Sequence, residues 1–65
     1  MMEYSNSQIR EIIEDWIHNS RDRIILSDRL IDGMTFEQIA EKHDMSVRQI
    51  KNIVYKLQVQ LFKHL

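Results

Sequence analysis

Apolar residues recur along the chain at intervals of three and four. Ile9, Ile12, Ile13, Trp16 and Ile17 fall at i, i+3, i+4, i+7 and i+8, the spacing that lines one face of an α-helix. Glu11, Glu14 and Asp15 lie toward its other side. Ser5-Asn6-Ser7 supplies N-cap residue types ahead of this stripe, and Ser5 with Gln8 has the spacing of a capping box. Asn19-Ser20 separates it from a second segment, about Arg21 to Asp32. There Ile24, Ile25, Leu26, Leu30 and Ile31 form an apolar face wide enough to predict a central position. Gly33 follows the last of them, and glycine reaches the positive φ that a helix C-terminus favours without a Cβ penalty. Thr35 with Gln38 restarts the pattern as another capping box. Phe36, Ile39 and Ala40 then face inward, and this helix ends near His43-Asp44. Ser46 with Gln49 opens the last helix, which runs from about Val47 toward His64, roughly 27 Å at 1.5 Å per residue. The expected fold is all-α: a small four-helix domain over residues 1–65, with an N-terminal helix within 1–19 and a three-helix core over 20–65.

Composition agrees with this reading. The 65 residues contain no proline, one glycine and no cysteine, with 43% hydrophobic and 29% charged residues. That suits one folded helical domain and excludes disorder, a disulfide framework and thiolate metal sites. A chain this short buries only about 60% of its unfolded surface, so it must pack efficiently or associate. No apolar run reaches the roughly 18 residues of a membrane-spanning helix, and Met1 to Ser5 lacks the character of a signal peptide. A cytoplasmic protein without membrane contact is expected.

The placement of charge adds more than its sum of −1. Residues 1–45 hold five basic and all ten acidic residues, a balance of −5. Residues 46–65 hold Arg48, Lys51, Lys56 and Lys63 and no acid, a balance of +4. A basic final helix on an otherwise acidic chain offers a polyanion a local face, although cations near a helix C-terminus also suit its dipole.

The two helices flanking Asp44 have the spacing of a helix-turn-helix. Steeply crossed helices approach where one presents a small side chain. Ala40 supplies it, Ile50 packs against that point, and Ile53 extends the contact, with Ile39 and Met45 completing the set. An ordinary helical hairpin would share these features, and the basic charge favours the DNA-binding version.

Three segments carry a family resemblance. They are Arg21-Asp22-Arg23-Ile24-Ile25-Leu26, Leu30-Ile31-Asp32-Gly33-Met34-Thr35-Phe36-Glu37-Gln38-Ile39-Ala40, and Met45-Ser46-Val47-Arg48-Gln49-Ile50-Lys51. Over about residues 20–63 the chain resembles region four of bacterial sigma factors and the related LuxR-type helix-turn-helix. The resemblance implies that the last helix enters the major groove, with Ser46, Val47, Arg48, Gln49, Lys51, Asn52, Tyr55 and Lys56 at or near double-stranded DNA. Two departures stand out. Asp44 occupies a turn position where the family often has glycine, and the sigma regions that bind core polymerase and the −10 element are absent.

Side-chain chemistry assigns roles within that set. Arg48 can pair with a guanine edge, and Asn52 or Gln49 with adenine. Lys51, Lys56 and Tyr55 suit phosphates, which fix register, and Ser46 suits both a cap and a phosphate. The last helix also has a second apolar side. Ile50, Ile53, Val54, Leu57 and Leu61 share one face, while Tyr55, Val59 and Phe62 lie near the opposite one. Two partners are then needed: the body of the domain, and either the Ile9–Ile13–Trp16 helix folded back or a second copy of the chain. A homodimer reading two half-sites is the favoured expectation.

No catalysis, metal or cofactor is indicated. His18, His43 and His64 show no ligand spacing, and Glu37 with Glu41 reads as a solvated like-charge pair. His43 reads as a partly buried neighbour of a helix end. The leading expectation is a small sequence-specific transcriptional regulator. The alternative is a protein-interaction module binding RNA polymerase or a sigma or anti-sigma partner without reading DNA. A structural bundle in a larger assembly is a third reading.

Overall fold

The computed structural model describes residues 4–63, which form four helices: α1 (Asn6–Trp16), α2 (Ser20–Leu30), α3 (Phe36–His43) and α4 (Val47–Phe62). No strand occurs among the described residues. The domain is all-α, as the apolar periodicity predicts. The second helix is shorter than the expected Arg21–Asp32, ending at Leu30 because Asp32 N–H bonds back to Ser27 O and Gly33 adopts φ +68°. The last helix ends at Phe62, and His64 lies outside the described residues.

Side chains start three of the four helices by the same device. At α1, Gln8 N–H donates to Ser5 Oγ (3.2 Å) while Ser5 N–H donates to Gln8 Oε1 (2.8 Å). Thr35 with Gln38 repeats the exchange at α3, and Ser46 with Gln49 at α4. At α2 the cap is Asn19, whose side chain accepts from Asp22 N–H at 3.1 Å. Each box satisfies two backbone donors that a helix start would otherwise leave to water.

One core joins all four helices. Ile13 and Ile17 from the α1 segment, Ile25 and Leu26 from α2, Ile39 and Ala40 from α3, and Ile50, Val54, Leu57 and Leu61 from α4 are its buried residues. Both α2 and α4 touch each of the other three helices, so α2 shares the central position expected for it with α4. The first helix is therefore part of the core rather than an appendage to residues 20–65. Arg23 ties it in place by donating from Nη2 to Glu14 O (2.8 Å) and from Nε to Ile17 O. Two residues of the predicted apolar stripes face outward instead. Trp16, expected to share the stripe of Ile9 and Ile13, is 45% exposed, and Ile24 is exposed on α2.

Candidate nucleic-acid interface

The connection from α3 to α4 consists of Asp44, Met45 and Ser46. Asp44 takes φ 54°, ψ 47°, and its N–H together with that of Met45 closes the end of α3 on Ala40 O and Glu41 O. This left-handed conformation is one that glycine adopts most readily, and Asp is among the residues that tolerate it best. Ala40 and Ile50, expected to meet where the two helices cross, are both buried. The capping box at Ser46 then fixes the direction in which α4 leaves.

Along α4 the buried line Ile50–Val54–Leu57–Leu61 leaves a continuous outward face. Its first ten residues carry Arg48, Lys51, Asn52 and Lys56, all exposed. Arg48, Asn52 and Lys56 make no side-chain hydrogen bond or ion pair within the described residues, so their polar ends are unoccupied. No acidic residue lies on α4.

The remaining predicted contacts are placed differently. Val47 is half-buried and packs on the core, leaving little of it to meet DNA. Gln49 is exposed, yet its Oε1 accepts from both Ser46 N–H (3.0 Å) and Ser46 Oγ (3.2 Å). A bidentate adenine contact, the role expected of Gln49, needs that oxygen, which the cap already occupies. Ser46 Oγ is likewise engaged with Gln49, as acceptor and donor, and serves as cap rather than as phosphate donor.

An aromatic–cationic cluster at the α3–α4 seam has no counterpart in the sequence pattern. The guanidinium of Arg29 lies 4.4 Å from the centroid of Phe36, and Lys51 Nζ lies 5.7 Å from it. Tyr55 meets the same ring edge-on, with centroids 5.8 Å apart and planes at 75°. Arg29 also donates from Nη1 to Met34 O at 3.0 Å, bracing the turn before α3. A cation over an aromatic face is held without being neutralised, so Lys51 and Arg29 keep their charge and gain a defined position. The inward phase of Phe36 on its helix is the one sequence signal that bears on this cluster.

Farther from α4, Lys42 Nζ lies 3.0 and 3.1 Å from the two carboxylate oxygens of Asp28, and His43 Nε2 lies 3.2 Å from Oδ2. His43 is thus a half-buried partner of an acid near the end of α3, much as its position implies. The cluster joins α2 to α3 and holds the first helix of the pair at a fixed angle.

A second outward strip of α4 is largely apolar. Tyr55, Val59 and Phe62 are 54%, 62% and 55% exposed. The first helix does not cover them; Ile13 lies in the core with the buried line of α4, and Ile9 packs against that core. Folding α1 back over this second apolar side is therefore excluded, because α1 already fills the space against α2 and the buried face of α4. No helix of the described residues is long and apolar enough to cross a membrane. No family model, curated protein or solved structure matches the chain.

Proposed function

We propose that the chain is a small sequence-specific DNA-binding regulator of transcription, acting in the cytoplasm, with α3 and α4 as its helix-turn-helix. The observation that supports this most is the stretch 47–56 of α4, where Arg48, Lys51, Asn52 and Lys56 stand exposed beyond a capped helix start with no acid on the same helix. Major-groove reading needs such a helix, exposed at its N-terminal end and free to reach base edges. In this reading Arg48 and Asn52 contact bases, and Lys51, Lys56 and Tyr55 hold backbone phosphates.

Selection from random duplexes, followed by fluorescence anisotropy at two salt concentrations, tests the assignment. Arg48→Ala should lower the preference for the selected site by about 1–3 kcal/mol, while Lys56→Ala should weaken all sequences and reduce the salt slope by about 1. Arg48→Ala binding with undiminished discrimination overturns these roles. The exposed Tyr55–Val59–Phe62 strip favours a second reading, a module that binds RNA polymerase or a sigma or anti-sigma partner. Reversing charge at Lys51 and Lys56 to Glu separates the two, since it abolishes duplex binding and spares an apolar contact with protein.

A further inference from the structure

We infer that the Asp32–Gly33 bond is a site of spontaneous covalent modification, where the chain isomerises from an aspartyl to an isoaspartyl linkage and loosens α3 from α2. The reaction needs no DNA and no partner. Gly33 N attacks Asp32 Cγ, and the nitrogen's proton leaves with the carboxyl's hydroxyl as water, closing a five-membered succinimide. Water then adds at one of the two ring carbonyls. Addition at the Asp32 backbone carbonyl breaks its bond to Gly33 N and frees it as a carboxylate. The chain now runs through Cγ and is one methylene longer. Mass and charge are unchanged.

The fold singles out this bond among all the Asp and Asn positions of the chain. Asn6, Asp15, Asp22, Asp28 and Asn52 lie within helices, where ψ is held at about −42° and the next nitrogen is kept away from Cγ. Three positions remain in the links. The side-chain oxygen of Asn19 is engaged, accepting Asp22 N–H at 3.1 Å. Asp44 is followed by Met45, whose N–H donates to Ala40 O at 2.9 Å, so the attacking nitrogen is engaged. Asp32 alone has both reactants available. Its side chain is exposed and makes no hydrogen bond or ion pair among the described residues. It lines a shallow cleft with Arg10 and Arg23, but Arg23 is committed to the carbonyls of Glu14 and Ile17. Asp32 N–H donates to Ser27 O and Met34 N–H to Asp28 O, while Gly33 N–H between them has no acceptor. Nothing stands within 4 Å of where a Cβ of Gly33 would lie, so its nitrogen is unshielded.

The residue just beyond the bond is where the consequence falls. Met34 is held by both of its backbone groups: its N–H donates to Asp28 O at 3.0 Å, and its carbonyl accepts Arg29 Nη1 at 3.0 Å. Both bonds run back to the end of α2, so the link between them closes a short loop through Asp32 and Gly33. A methylene inserted into that loop displaces Met34 and breaks the pair. The capping box of Thr35 and Gln38 lies downstream and is made within α3 itself. The helix therefore persists while its backbone tie to α2 is lost, leaving the Lys42 and His43 contacts with Asp28 to hold the two helices together.

Ageing the full chain in warm neutral buffer tests this, with trypsin digestion and electron-transfer fragmentation to tell isoaspartyl from aspartyl residues in the Leu30–Lys42 peptide. Isoaspartate should accumulate at Asp32 at least about tenfold faster than at Asp22 or Asp44, a barrier difference of about 1.4 kcal/mol. Its rate in the folded chain should also lie close to that of a synthetic Leu30–Lys42 peptide, because the fold leaves both reactants available. The isoaspartyl form, separated by chromatography, should show a lower urea midpoint with its helical circular dichroism retained. Asp32→Glu is one methylene too long for the five-membered ring, and its midpoint should not change with age. Accumulation in the folded chain at least about tenfold slower than in the peptide, or no preference for Asp32 over the other positions, would overturn the assignment. An isoaspartyl chain with the urea midpoint of fresh protein would overturn the loosening of α3.

Discussion

Asp28 is the one buried polar or charged residue of the described chain, at 3% exposure. Its carboxylate receives Lys42 and His43 from α3, and its backbone carbonyl accepts Met34 N–H at 3.0 Å. A buried charge is tolerated only when its hydrogen-bonding capacity is met, and α3 supplies the partners. Asp28→Ala should therefore destabilise the domain by about 2 kcal/mol. Urea denaturation checks this; a loss under about 0.5 kcal/mol would mean the cluster is dispensable. Nothing in the local sequence marks Asp28 as different from the solvated Asp32. Its partners come from fourteen and fifteen residues away, and periodicity reports only which face a residue occupies on its own helix.

At the scale of elements, the punctuation of the helices was legible and their packing partners were less so. Caps depend on residues three positions apart, so Ser5–Gln8, Thr35–Gln38 and Ser46–Gln49 could be read directly, as could the stop at Gly33. The core line of α4 followed from its wheel for the same reason. Trp16 and Ile24 went astray because both sit at the margin of a stripe, where the angle of the neighbouring helix decides between burial and exposure. The candidate interface divided in the same way. Exposure of Arg48, Lys51 and Asn52 followed from the wheel, whereas the engagement of Gln49 in the cap and the position of Lys51 over Phe36 depend on rotamers and on α3. Asp44 is a place where element and residue conflict, since the turn demands a left-handed conformation that a Cβ disfavours. Asp44→Gly should raise stability by about 0.5 kcal/mol, relief of strain exceeding the added freedom of the unfolded chain, while Asp44→Val should lose about 1–2 kcal/mol. Opposite shifts in the urea midpoint are the expected result, and a fall for Asp44→Gly would remove the strain argument.

For the whole molecule, the consequence of a single shared core is that no part is spare. A domain of this size has a stability of roughly 3–10 kcal/mol. Ile13 and Ile17 contribute two fully buried aliphatic side chains, about 3–6 kcal/mol in transfer terms. Removing residues 1–19 should leave 20–65 largely unfolded by circular dichroism, even though the helix-turn-helix reading draws entirely on the remaining part. A cooperatively folded 20–65 fragment would show that α1 is an addition after all.

The three capping boxes carry a consequence for how such a chain tolerates insertions and deletions. Each helix start is defined by its own pair of side chains rather than by counting from the previous helix. A residue gained or lost between Ile31 and Met34 would reshape that link, while Thr35 and Ser46 would still begin their helices in phase. Frame errors in the link before α3 are thus absorbed where they arise, whereas the three-residue junction at Asp44 lacks such tolerance, because its length sets the angle between its neighbours.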